Sequence, residues 1–256
     1  MGAVKLTGPR HPAARALLHP AAQPLLFLLS LLPFAWLLYG AITDNLGANP
    51  AEYLSRATGD WTLRFLCLTL AVTPLRVITG TPALARFRRM LGLFVYFYVV
   101  LHFLSYAWFD MGFDAADVVR DIAKRPFILA GFSGLLLLTP LAATSFNRAV
   151  KALGAARWQN LHKIVYLIAG LGILHFFWMR AGKNDFAEVA AYAAIIAALL
   201  GWRLAQYFKQ KRMPGGLAAS PSGRRPHGIA FTARAARSAS GRRRFRVRGS
   251  DPRGPR

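Results

Sequence analysis

Six windows of this chain are apolar over about twenty residues each, near 22–42, 61–80, 91–109, 127–146, 160–179 and 187–208, and the polar residues collect between them. Each window is long enough to cross about 30 Å of hydrocarbon as a helix rising about 1.5 Å per residue. The pattern predicts an all-α integral membrane bundle of six transmembrane helices. The second window is the most interrupted, by Arg64, Pro74 and Arg76; such internal charge faces protein or a bound group, or snorkels to the interface. The chain thus divides into an N-terminal segment (1–21), a membrane domain (22–208) and a tail (209–256). No clean small-residue cleavage site follows the first window, where Leu38, Tyr39, Gly40 and Ala41 stand, so that window is expected to be a retained helix rather than a removed signal peptide. From Met213 onward Gly, Ser, Pro, Ala and Arg dominate, a composition that cannot bury a core and predicts disorder.

Composition agrees, since 55% of the residues are hydrophobic. Charge changes the picture more. A net charge of +23 would suit a nucleic-acid binder, but 11 arginines against Asp251 give the stretch 213–256 a charge of +10, and the remainder sits at the ends of apolar windows. Basic residues cluster before the first window (Lys5, Arg10, Arg15), between the second and third (Arg86, Arg88, Arg89), around the turn from fourth to fifth (Arg148, Lys151, Arg157, Lys163) and after the sixth. The alternate connections carry Asp44, Glu52 and Asp60, then Asp110, Asp114, Asp117 and Asp121, then Asp185 and Glu188. The positive-inside rule then places both termini in the cytoplasm of a bacterial-type inner membrane, and no nucleic-acid partner is expected. Trp61, Trp108, Trp158 and Trp178 fall at window ends, as interfacial belts do. With Cys67 as the only cysteine, an internal disulfide, a thiolate metal cluster and covalent C-x-x-C-H haem attachment are closed off.

Candidate chemistry lies in three histidines. His11, His19 and His227 occupy polar termini, whereas His102, His162 and His175 lie within apolar windows, where an imidazole is costly unless paired. HKIVYLIAGLGILH (162–175) carries two of them, thirteen residues apart. Counting from Met90 and Asn160, His102 and His175 stand at about 18 and 22 Å of helix rise, and His162 at about 3 Å. Thirteen residues also turn an ideal helix so that the two imidazoles of this segment diverge by about 140°. They serve different sites unless Gly170 and Gly172 distort the helix. Two imidazoles at one level on different helices, the third and the fifth, can ligate a haem iron from both sides. A zinc ion would want three or four converging ligands, and His162 is out of reach.

Three stretches resemble a known family: GDWTLRFLCLTLAVTPLR (59–76), RFRRMLGLFVYFYVVLHFLSY (86–106) and RWQNLHKIVYLIAGLGILHFFW (157–178). They are similar to the haem-binding membrane subunits of the periplasmic methionine sulfoxide reductase system, MsrQ, within the ferric-reductase-like transmembrane group. The resemblance covers roughly residues 20–208. It implies a b-type haem protein that passes electrons from the quinone pool, or from a reduced flavin, outward to a periplasmic molybdopterin-containing subunit that repairs oxidised envelope proteins. The reductase centre would then lie on the partner. FMN is a further cofactor the resemblance suggests. His102, His162 and His175 match the family's membrane histidines, with the axial ligand role carried to His102 and His175. Relatives with two stacked haems have a second histidine thirteen or fourteen residues from the first on the third span; here Arg89 and Arg88, or Ala115 and Ala116, stand there. One haem is expected, and a second would need His162 with an unusual partner or an open coordination position. Arg76, Arg88 and Arg89 could pair with propionates or a flavin phosphate, or serve only as positive-inside arginines.

No G-x-G-x-x-G on a strand–turn–helix follows the sixth window, so electrons must arrive from a membrane quinol or a separate flavoprotein. The acidic connection from Asp110 to Asp121 faces the side on which an outer partner would dock. A transporter or proton relay using the same histidines is the rival class; inverted repeats and broken helices would mark it.

Overall fold

A computed structural model of the chain describes residues 16–182 and 184–212. The N-terminal residues 1–15, with His11, and the stretch 213–256, with His227 and the expected disorder, lie outside the described residues. Among the described residues there is no strand. Helix α1 spans Ala22–Ile42, α2 Pro50–Ile78 and α3 Arg88–Phe109, the last entered through a 3-10 turn Pro82–Phe87. A short α4 (Ala115–Lys124) precedes α5 (Pro126–Ala143). Two short helices, α6 (Asn147–Leu153) and α7 (Ala155–His162), lead into α8 (Val165–Ala181), and α9 (Ala187–Arg212) closes the bundle. Six segments are long and apolar enough to cross a membrane, with α7 and α8 together forming the fifth. Large apolar side chains face outward, as lipid contact requires: Leu28, Leu32 and Trp36 of α1 are each more than 60% exposed.

Four features differ from the hydropathy reading. Helix α2 starts eleven residues earlier, at Pro50 rather than 61. The Asn49 side chain accepts from the Glu52 N–H at 3.2 Å and Pro50 occupies the first turn, an N-terminal signal that works in polar sequence and that hydropathy does not weigh. The acidic connection after α3 is not an open loop. Asp114 caps it, accepting from the N–H groups of Ala116 and Asp117 at 2.8 and 3.0 Å, and α4 follows. The fifth span is broken at Lys163 and Ile164, not at Gly170 or Gly172, which lie within α8. Helix α9 also continues through the proposed domain boundary at 208 to Arg212.

Helix α2 packs chiefly on α3, and α5 on α8; α9 lies against α2 and α8, and α3 touches α5. Between α2 and α3 the core is aromatic. Phe65 stacks on Tyr98 with ring centres 5.2 Å apart and on Phe94 at 5.5 Å. Tyr98 is fully buried, and its hydroxyl has a second task. It accepts from the Phe34 N–H at 3.1 Å and donates to the Ser30 carbonyl at 2.9 Å. Those are the two groups that an uninterrupted α1 would pair with each other. Pro33 stands between them, and a proline opens the helical ladder where a side chain can insert. Helix α2 shows a second case. Pro74 has no N–H for the Leu70 carbonyl, and Arg203 of α9 donates to that carbonyl at 2.8 Å.

Replacing Tyr98 by Phe keeps the stack but leaves the Ser30 carbonyl and Phe34 N–H unsatisfied, a cost of about 1–3 kcal/mol. A lowered midpoint is expected when thermal unfolding in detergent is followed by labelling of Cys67, the chain's only cysteine, with a thiol-reactive dye; an unchanged midpoint would show the inserted hydroxyl to be dispensable.

Candidate functional site

His102 of α3 and His175 of α8 meet, their ring centres 6.0 Å apart. Each ring is anchored on a different helix. The Nδ1 of His102 lies 2.8 Å from the Ser55 carbonyl of α2, and that of His175 lies 2.7 Å from the Phe127 carbonyl of α5. A carbonyl only accepts, so both Nδ1 atoms carry the proton and both Nε2 atoms keep a bare lone pair. Metal-binding histidines are oriented in this way. Two metal–nitrogen bonds of about 2 Å, with about 1.1 Å from each nitrogen to its ring centre, span about 6 Å. The observed ring-centre separation of 6.0 Å matches that span. Among the described residues no three His, Cys, Asp or Glu side chains converge as a metal cluster.

Both rings line a cavity of about 330 Å³ whose walls include Leu63, Leu66, Val99, Phe103 and Leu135, within the range of cofactor and small-ligand sites. Its polar rim holds Arg56, Tyr106, Asp110, Arg125 and Arg180. The rim is tied together: Arg56 pairs with Glu52, Arg125 with Asp121 at 2.9 Å, and Arg180 with Asp185 and Glu188, while Tyr106 donates to Asp121 at 2.8 Å. Desolvation pushes the Asp110 carboxyl above its ordinary range, against the pull of Arg125 and with a further push from Asp121.

His162 ends α7 and belongs elsewhere. It stacks on Trp158, ring centres 3.9 Å apart, with Nδ1 3.0 Å from the Trp158 carbonyl. Its Nε2 is buried with no hydrogen-bond partner among the described residues. It lines a second cavity of about 550 Å³ together with Arg76, Arg88, Arg89, Lys163 and Arg203. Leu66 and Leu138 line both cavities, so the two are separated by a single layer of side chains.

The family model for the ferric reductase like transmembrane component matches residues 58–173. It includes His102 and His162 and stops just short of His175. Over 196 residues, 77% of this chain and 90% of the relative, the chain is 76% identical to the protein-methionine-sulfoxide reductase heme-binding subunit MsrQ of Polaromonas naphthalenivorans. Over 178 residues, 70% of this chain and 82% of the relative, it is 54% identical to the MsrQ of Herminiimonas arsenicoxydans. The chain belongs to the MsrQ family. Magnetosome protein MamZ of Magnetospirillum gryphiswaldense is 41% identical over 191 residues, which are 72% of this chain and 29% of that protein. No solved structure matches the chain.

In this MsrQ-family chain the pairing of His102 with His175 and the separation of His162 follow the depth reading of the sequence. Ser55 and Phe127 were not singled out from sequence, because any residue type can offer a carbonyl. Arg180 and Arg203 were not singled out either, one standing at the acidic end of the fifth span and the other within the sixth. Arg203 has a structural duty as well as a place in the basic cavity. Arg203→Met should cost about 1–3 kcal/mol by leaving the Leu70 carbonyl unpaired. The loss should shrink in a Pro74→Ala background, where the substituted alanine restores the helical N–H. Equal losses in the two backgrounds, read from the same thermal labelling, would refute the coupling.

Proposed function

We propose that this chain is a haem b electron-transfer subunit, with His102 and His175 as the two axial ligands, serving a methionine sulfoxide reductase. By its family the chain is a multi-pass membrane redox subunit of methionine sulfoxide reduction. The haem ligation is carried by the pair of imidazoles 6.0 Å apart, each with Nδ1–H held by a helix carbonyl. Haem, when bound, supplies one-electron iron(II)/iron(III) chemistry. Everything else falls to the protein. His102 and His175 bind through Nε2, the Ser55 and Phe127 carbonyls orient them, and the apolar walls exclude water. Arg56, Arg125 and Arg180 at the rim suit the propionates.

The basic end of the bundle, with Arg76, Arg88 and Arg89, faces the cytoplasm of the inner membrane in this reading, with both termini on that side. The acidic end faces the periplasm, where a molybdopterin-containing reductase subunit would accept the electrons. The donor is a membrane quinol or a reduced flavoprotein. The second cavity, basic and one leucine layer below the first, suits either a second haem on His162 or the phosphate of an FMN. A proton relay has weaker support. It needs imidazoles that exchange protons, and backbone carbonyls hold both Nδ1–H groups without being able to pass the proton on.

The test is a reduced-minus-oxidised absorption spectrum of detergent-purified protein, with haem quantified per chain, for wild type and His102→Ala, His175→Ala and His162→Ala. Haem should be lost in the first two variants by more than the roughly 10–100-fold that loss of an outer-shell partner costs. It should be kept, wholly or in part, in the third, where a partial loss points to a second haem. Colourless wild-type protein from haem-sufficient cells would overturn the proposal.

A further inference from the structure

The geometry points to Gly59 and Gly131 as positioning residues: with the carbonyls four residues before them they form two matched clamps that hold the axial imidazole planes nearly perpendicular. The inference rests on the haem reading above and deepens it. In a helix the side chain of residue i+4 lies over the turn that contains carbonyl i. An imidazole laid against the helix surface so that its Nδ1 reaches that carbonyl is therefore crowded by a Cβ at i+4. Both half-sites obey this rule. Ser55 and Gly59 of α2 receive His102, while Phe127 and Gly131 of α5 receive His175. A Cβ on Gly59 would lie 3.2 Å from His102 Cε1, and one on Gly131 only 2.9 Å from His175 Nδ1. A Cβ on Gly170 would meet nothing within 4 Å. The two half-sites are built alike although the stretches SRATG (55–59) and FILAG (127–131) share only their final glycine.

The clamps fix ring rotation as well as position. An Nδ1–H lies in the imidazole plane, so aiming it at a fixed carbonyl restricts rotation about Cβ–Cγ. The two planes meet at 78°. An axial imidazole donates π density into the iron d orbital perpendicular to its own plane. Parallel rings both raise one of the two orbitals, split the pair, and give ferric iron a three-line rhombic resonance. Perpendicular rings raise one each and leave the pair nearly degenerate. The low-spin signal then becomes a single, highly anisotropic feature.

Electron paramagnetic resonance of oxidised, haem-loaded protein reads this directly, for wild type, Gly131→Ala, Gly59→Ala and, as control, Gly170→Ala. Wild type and Gly170→Ala should show the highly anisotropic signal. Gly131→Ala should move toward the rhombic pattern, convert to high-spin iron, or elute as folded protein with less haem. Gly59→Ala, where the contact is looser, should change less, and it decides the matter if Gly131→Ala does not fold. A rhombic wild-type signal would overturn the perpendicular clamp. A wild-type signal in Gly131→Ala and Gly59→Ala at full haem content would overturn the role of the glycines. Absence of haem from wild type would instead sink the haem reading, and the clamp inference with it.

Discussion

An N–H group in hydrocarbon must find its acceptor inside the protein, and the rest of this architecture follows from how the two imidazoles do so. Among the described residues neither has a carboxylate partner; each uses the backbone of a neighbouring helix. That choice adds no charge to the apolar interior and protonates Nδ1, leaving Nε2 free. It also demands a close approach, since the ring must lie on the helix surface itself. Glycine opposite each ring satisfies that demand. Helix pairs α2/α3 and α5/α8 must keep register within a fraction of a turn, and the starts of the supporting helices help to set it. Ser55 lies one turn and a half into a helix started by Asn49 and Pro50, and Phe127 immediately follows Pro126.

The same requirement explains the polar residues elsewhere in the core. Pro33 and Pro74 each disturb a backbone ladder, and each disturbance is met from another helix, by the Tyr98 hydroxyl or the Arg203 guanidinium. These contacts tie α1 to α3 and α9 to α2. Arg203 is thereby held at the wall of the basic cavity, where it adds charge beside Arg76 and Arg88. The two cavities thus differ in chemistry. One is apolar with two bare Nε2 atoms, the other cationic with His162, and Leu66 and Leu138 separate them.

Much of this was legible in the sequence because lipid imposes simple rules. Twenty-residue apolar windows located six spans, and helical rise alone put His102 and His175 at one height and His162 far below. Helix starts in polar sequence were less legible. Hydropathy began the second span at 61 and so missed the turns that hold Ser55 and Gly59, although Asn49, Pro50 and Glu52 mark the start. The acidic stretch after α3 likewise passed for a loop, because its cap signal, Asp114, was weighed only as charge.

By itself the sequence determined the number of spans, the level of each histidine and the exclusion of a thiolate metal cluster or a C-x-x-C-H haem attachment, since these depend on composition and on distance along one helix. Only the tertiary structure decided which helix each imidazole leans on, which carbonyl fixes its tautomer, why glycine stands at 59 and 131, and which arginine completes the ladder broken by Pro74. Those are contacts between helices. Carbonyls are common to every residue, so no pattern along the chain distinguishes the ones that a ring will find.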